Sequence, residues 1–215
     1  MYSGIKKSIA CGVDCEKAGR IHKMWQNDSL PRELFTLDEL ASFNKKSNLV
    51  EITFLAKESL LKSFGAGWFN TSIKGSEINI LMHDDVILCE LTGAARELFD
   101  ENEFDFIKIN TESSMGYNFA FSYMGSNVND LAKRLKKIYT FNRLKDTINN
   151  NVLINASNQW VKSYSYDGYV LGFSGLIKDS YGKTHLIDSK TNTVADYIDM
   201  SISHSGSVYV LMLAM

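Results

Sequence analysis

The last quarter of the chain carries its most regular pattern, WVKSYSYDGYVLGFSGLIKDSYGKTHLIDSKTNTVADYIDMSISHSGSVYVLMLAM over residues 160–215. Asp167-Gly168 lies between aromatic and β-branched residues, which is typical of a two-residue hairpin turn over residues 164–171. Polar breaks separate the apolar runs that follow, and these runs predict further strands over residues 173–177, 183–188, 194–202 and 208–213. The stretch therefore predicts an antiparallel β-meander of four or five strands.

A second regular pattern precedes this region. Apolar residues spaced by three and four from Val128 to Ile148 predict the longest helix of the chain, over residues 126–148. Alternating aromatic residues predict a strand over residues 117–123. We therefore expect an α+β fold, in which one long amphipathic helix packs against an antiparallel sheet with a C-terminal β-meander. The order of elements over residues 77–156 also matches a ferredoxin-like βαββαβ unit.

The N-terminal third predicts shorter elements. Asp14 is a candidate N-cap for a helix over residues 15–25. Thr36 and Glu39 form a capping box at the start of another helix, which ends near Phe43. Alternating apolar and polar residues over 49–55 predict a strand, and a short helix is expected over residues 57–64.

Length and composition indicate one globular unit. The 215 residues include a single proline and three cysteines, and their net charge is −2. No linker-like stretch divides them. We therefore expect one α+β domain over residues 1–215. No run of about 18 apolar residues and no signal core is present, so a cytoplasmic protein without a membrane span is expected. The few cysteines agree with a reducing compartment.

Cys15 is the candidate nucleophile. In the first turn of a helix, the helix dipole would lower the pKa of its thiol and make the thiolate more available. A cysteine-dependent enzyme also needs a histidine base and an orienting acid, for which His185 and Asp188 are the candidates. These two residues are three apart on a predicted strand and would point to opposite faces. The catalytic set Cys15, His185 and Asp188 predicts a small hydrolase or transferase.

No metal or cofactor site is predicted. Structural zinc sites contain two closely spaced ligand pairs, and Cys11, Cys15 and His22 have no second pair. Most of the short motifs that resemble catalytic signatures lack the residues that their chemistry requires.

The charges of the predicted long helix favour a different function. Its outer side is basic, and Lys133, Arg134, Lys136 and Lys137 form a candidate surface for a protein partner with an acidic surface. Because no set of candidate catalytic residues has the required spacing, we expect a non-enzymatic binding or regulatory protein that acts through a protein partner. The Cys15-dependent hydrolase or transferase is the first alternative.

The second alternative is a protein that binds single-stranded nucleic acid. This function requires exposed rings beside a basic groove, so that the rings stack on bases. Tyr117, Phe119 and Phe121 are the candidate rings, and the predicted basic helix is their neighbour. A nucleic-acid partner is thus possible from the sequence but less favoured than a protein.

Overall fold

The computed structural model describes residues 9–65, 72–83, 86–126, 135–141, 154–155, 157–158, 173–179, 183–195, 198–205 and 208–214. These residues contain both helices and antiparallel strand pairs, which confirms the α+β class. The helices are α1 (Arg20–Gln26), α2 (Leu37–Phe43), α3 (Leu49–Ser63) and α4 (Gly93–Glu101). The strands are β1 (Ile9–Lys17), β2 (Ile78–His83), β3 (Val86–Leu91), β4 (Phe106–Ser114), β5 (Tyr117–Gly125), β6 (Leu135–Phe141), β7 (Phe173–Lys178), β8 (Thr184–Asp188), β9 (Asp199–Ser205) and β10 (Val208–Ala214).

Strand β1 is the first of a three-stranded antiparallel sheet, in the order β1-β5-β4. The predicted strand over residues 117–123 is confirmed as β5, which pairs with β1 along its whole length. Phe119 and Phe121 are fully buried and stack on one another in the core. They cannot stack on the bases of a nucleic acid, so the alternative that depended on them finds no support.

Helix α3 packs against this sheet and is the long helix of the fold. Val50, Leu55, Leu60 and Leu61 on this helix are completely buried. A long helix on an antiparallel sheet is thus confirmed, but its predicted position is wrong. Residues 135–141 form β6, which pairs with β10, and residues 49–55 are the first half of α3 rather than a strand.

The first predicted helix is also displaced. Cys15 lies on β1 and not in a helical first turn, and α1 begins after Gly19, which adopts a left-handed backbone conformation with φ 79°. Both faces of β1 are buried, so its sequence lacks the polar and apolar alternation that marks a half-exposed strand. The capping box of Thr36 and Glu39 is confirmed at α2.

The C-terminal strands form two sheets. Strands β7 and β8 pair as predicted, and β9 and β10 follow, but β10 lies between β6 and β9 in a separate three-stranded sheet. The meander is therefore interrupted by a strand from earlier in the chain. The predicted hairpin over residues 164–171 lies outside the described residues.

The ferredoxin-like order is not found among the described elements between residues 78 and 141. Two strands precede α4, and three strands follow it. No helix in the described part of the chain is long and apolar enough to cross a bilayer. That residues 1–215 fold as a single domain stays a prediction.

The free edge of β1 faces the side chains of β9. The backbone N–H groups of Cys11, Val13, Cys15 and Lys17 donate hydrogen bonds, respectively, to side-chain oxygens of Asp199, Ser201, Ser203 and Ser205. The partners keep a constant separation of 188 positions, so the two strands run in parallel. Side-chain oxygens thus satisfy the donors that a sheet edge leaves unpaired.

Gly12 sets the distance between β1 and α3. A Cβ atom at this position would lie 1.9 Å from the carbonyl oxygen of Ser59 and 2.7 Å from the backbone nitrogen of Ser63. Both of these atoms belong to the helix backbone and cannot rotate away. Only glycine allows the helix to approach the strand this closely.

We predict that Gly12→Ala destabilises the protein by about 3 kcal/mol or more, because the helix must move away from the strand. Urea denaturation would measure this loss. Gly175→Ala is the matched control, since a Cβ there would make only ordinary contacts of 3.7 Å and longer with Ile187. Equal stability of the Gly12→Ala variant and the wild type would show that the strand and helix are not in close contact.

A buried ion pair joins α3 to α2. Lys57 is completely buried, and its Nζ lies 2.5 Å from Glu39 Oε2. The ammonium also donates to the carbonyl oxygens of Leu34 and Gly75, at 2.9 Å each. Burial lowers the pKa of Lys57, and the charge of Glu39 acts in the opposite direction. The pair is structural, since each charge is enclosed with its partner.

Lys57→Met should cost about 3–5 kcal/mol of stability, because it leaves the carboxylate of Glu39 buried without its cation. Asp28→Asn is the control, since it removes an exposed ion pair with Arg32 and should cost less than about 1 kcal/mol. Denaturation of both variants by urea tests the difference. Similar losses in the two variants would contradict a structural role for the buried pair.

Candidate active site

Three carboxylates and a lysine meet where β1 faces α3. Asp14 and Glu16 are two residues apart on β1 and therefore point to the same side of the strand. Glu58 and Lys62 are four residues apart on α3 and share one helix face. The close approach at Gly12 brings the two elements together. We call Asp14, Glu16, Glu58 and Lys62 the carboxylate–lysine cluster.

Hydrogen bonds fix three of its four members. Lys62 Nζ lies 2.6 Å from Asp14 Oδ1, and both groups contact the hydroxyl of Ser203. Glu16 Oε2 accepts a hydrogen bond of 2.9 Å from the hydroxyl of Ser205, and its other oxygen pairs with Arg20. The cluster is thus connected to β9 as well as to α3.

Glu58 is the exception. It makes no hydrogen bond or ion pair with any residue in the described part of the chain. Burial raises the pKa of Glu58 to about 8, and the negative charges of Asp14 and Glu16 act in the same direction, while Lys62 opposes them. A carboxyl with this pKa exchanges a proton close to neutral pH, which is the property of a general acid or base.

A cavity of about 280 Å³ lies beside the first half of α3. Glu51 and Leu55 contribute to its wall from the helix, and Thr111 and Asn118 do so from the β4–β5 hairpin. Positions 51, 55, 58 and 62 follow the three-four spacing of one helix face, so the cavity and the carboxylate–lysine cluster lie on the same side of α3.

Each of the predicted catalytic residues has its own surroundings in the structure. Cys15 is 1% exposed, and burial raises the pKa of its thiol to about 11, which is the opposite of the predicted shift. His185 Nε2 contacts Asp179 Oδ2 at 3.0 Å, and Asp188 Oδ1 accepts hydrogen bonds from the backbone of Lys190 and Thr191. Within the described residues, no hydrogen bond joins Cys15 to His185. The catalytic set stays a prediction that none of these contacts supports.

The predicted basic surface is described only in part. Lys133 and Arg134 lie outside the described residues. Lys136 and Lys137 lie on strand β6 and not on a helix. Their role in binding a partner stays a prediction. In the described ranges, no group of three or more histidine, cysteine, aspartate or glutamate side chains is already arranged to hold a metal ion.

Sequence reasoning missed the carboxylate–lysine cluster. Its available signal was the run Lys57-Glu58 and Lys62 among apolar residues, where charged side chains recur within a segment that otherwise predicts burial. The sequence predicts a strand over residues 49–55 and therefore a short separate helix for this run. Nothing in that prediction indicates that Glu58 and Lys62 lie beside Asp14.

No protein-family model and no curated protein matches the chain. Several solved structures resemble it. A holo-ACP synthase from Plasmodium yoelii is 24% identical, with a TM-score of 0.44 over 55% of this chain and 95% of that one. A holo-[acyl-carrier-protein] synthase from Helicobacter pylori, in complex with coenzyme A, is 18% identical, with a TM-score of 0.45 over 54% and 99%. The same synthase from Neisseria meningitidis is 22% identical, with a TM-score of 0.42 over 54% and 96%.

These findings correct the main functional prediction. The expectation of a non-enzymatic binding or regulatory protein is wrong, since the similar solved structures are synthases, which are enzymes. Of the predicted functions, the alternative of a small Cys/His-dependent hydrolase or transferase agrees better with them. TM-scores below 0.5 leave the chemistry of this chain to be inferred from its own residues.

Labelling with a thiol reagent tests the environment of the cysteines. We expect both Cys15 and Cys89 to react slowly in the folded protein at pH 8, because burial raises the pKa of Cys15 to about 11 and that of Cys89 to about 12. Both should react rapidly in denaturant. Mass spectrometry of the labelled peptides measures the two rates, and rapid labelling of Cys15 in the folded protein would restore it as a candidate nucleophile.

Proposed function

We propose that this protein is a transferase of the holo-[acyl-carrier-protein] synthase type, which moves the phosphopantetheinyl group of coenzyme A onto a hydroxyl of a carrier protein. The observation that carries the proposal is the carboxyl of Glu58. It has no partner among the described residues, its pKa is raised to about 8, and it lies in the electrostatic field of Lys62. A transfer to a hydroxyl is accelerated by a base that takes the hydroxyl proton and by a cation that stabilises the developing negative charge.

The reaction assigns a role to each group. Glu58 takes the proton of the acceptor hydroxyl, and the oxygen attacks the phosphorus atom that bears the pantetheine group. The bond from this phosphorus to the bridging oxygen of the diphosphate breaks, and adenosine bisphosphate leaves. Lys62 offsets the negative charge that develops on the diphosphate in the transition state.

Asp14 and Glu16 have a separate task. Asp14 holds the ammonium of Lys62 at 2.6 Å, and its Oδ2 accepts no hydrogen bond from the described residues. Mg²⁺ in phosphate-transfer sites is usually bound by one or two carboxylates together with the phosphates of the substrate. A Mg²⁺ ion that enters with the diphosphate would find such oxygens in Asp14 and Glu16, so no complete metal site is needed beforehand.

The protein partner in this proposal is the carrier protein. The expectation that its surface is acidic is kept, and it forms part of the proposal. The cavity offers room for part of a substrate on the side of α3 that carries Glu58.

The direct test is incubation of the protein with coenzyme A, Mg²⁺ and an apo-acyl carrier protein, followed by mass spectrometry of the carrier. We expect the phosphopantetheinyl group on the carrier. Glu58→Gln should lower kcat at least about 100-fold, because general base catalysis contributes about that factor or more. Glu97→Gln on the exposed side of α4 is the control and should retain activity.

The pH profile provides a second reading in the same assay. Glu58 acts as a base only when ionised, so kcat/KM should rise as the pH passes through about 8. The residual activity of Glu58→Gln should not show this rise of kcat/KM with pH. An unmodified carrier with the wild-type protein, or full activity of Glu58→Gln, would refute the proposed function.

A further inference from the structure

Strand β9 contributes a side chain to the carboxylate–lysine cluster from the far end of the chain. Ser203 is 5% exposed, and its hydroxyl donates a hydrogen bond of 2.8 Å to Asp14 Oδ1. The Ser203 hydroxyl oxygen itself accepts hydrogen bonds from Lys62 Nζ at 3.1 Å and from the backbone nitrogen of Cys15 at 3.2 Å. A hydroxyl has one donor and two acceptor positions, so this one is fully used.

We propose that Ser203 is a positioning residue of the active site, and the one side chain of β9 that holds the Asp14–Lys62 pair in place. This inference rests on the proposed function. Ser203 is held by the backbone of β1 and contacts both members of the Asp14–Lys62 pair. It therefore fixes where the ammonium lies relative to Glu58. Without the Ser203 hydroxyl, Asp14 and Lys62 keep their charges, but the ammonium of Lys62 loses one of the contacts that hold it in position.

The position of the ammonium matters because transfer depends on alignment. A displacement of about 1 Å at a reacting group can lower a rate about 100-fold. Removing the Ser203 hydroxyl should therefore affect the reaction rate more than the binding of coenzyme A. The expected result is a fall in kcat of about 10- to 100-fold with little change in KM.

Ser201 is the matched control. It lies on the same strand, is 6% exposed, and accepts a hydrogen bond of 3.0 Å from the backbone nitrogen of Val13. Its side chain makes no contact with Asp14, Glu58 or Lys62 in the described part of the chain. Replacement of either serine by alanine removes one hydrogen bond from the free edge of β1, but only the change at position 203 affects the cluster.

The experiment compares Ser203→Ala with Ser201→Ala in the transfer assay and in thermal unfolding. We expect a decrease in Tm for both variants, larger for Ser203→Ala because its hydroxyl makes three hydrogen bonds and that of Ser201 makes one. We expect a loss of kcat in Ser203→Ala alone, with Ser201→Ala within about twofold of the wild type. A kcat for Ser203→Ala within about twofold of that for Ser201→Ala would overturn the inference while leaving the proposed function in place.

A second measurement does not need a substrate. Asp14→Asn is combined with each serine variant, and the shifts in Tm are compared with the sums of the single shifts. Contact between Ser203 and Asp14 predicts a non-additive shift for that pair and an additive one for Ser201 with Asp14. Additive shifts in both pairs would overturn the inference. An inactive wild type overturns the proposed function instead, and with it any catalytic role for Ser203.

Discussion

The structure depends on how the free edge of β1 is satisfied. One edge of β1 pairs with β5, and the other presents backbone donors that would be costly to bury without partners. Asp199, Ser201, Ser203 and Ser205 supply the acceptors from alternate positions of β9. Strand β9 thus joins β1 through its side chains, which leaves the backbone of β9 free to pair with β10. The β1-β5-β4 sheet and the β6-β10-β9 sheet therefore meet along β1 without backbone hydrogen bonds between their strands.

The same strand orients the carboxylates. Residues on one face of β1, which include Cys11, Val13 and Cys15, lie in a core with β10, so the alternate positions face α3. Gly12 occupies one of these positions and admits the helix, and Asp14 and Glu16 occupy the next two. A larger residue at position 12 would separate the strand from Glu58 and Lys62. Gly12 therefore allows both the close packing of α3 against β1 and the close spacing of the carboxylate–lysine cluster.

The sequence predicted the class of the fold and many of its local elements, because the capping box at Thr36 and the alternation in β5 are local signals. It failed where burial conceals the pattern. Glu51 and Thr53 are buried polar residues within α3, and they gave the first half of this helix the alternation of a strand. Residues 135–141 have helical spacing, but pairing with β10 outweighs it. The site could not be predicted, since Asp14 lies 48 positions from Lys62 and 189 positions from Ser203.

The charges of the cluster constrain how it can work. Three carboxylates and one ammonium would repel a diphosphate if all were ionised. In the free protein, Glu58 relieves part of this negative charge by keeping its proton up to about pH 8. A cation that arrived with the diphosphate would favour the ionised form and lower the pKa of Glu58. In the proposed transferase, binding of the donor would then release the proton and convert Glu58 into a base, so that the base becomes available only when the group to be transferred is in place.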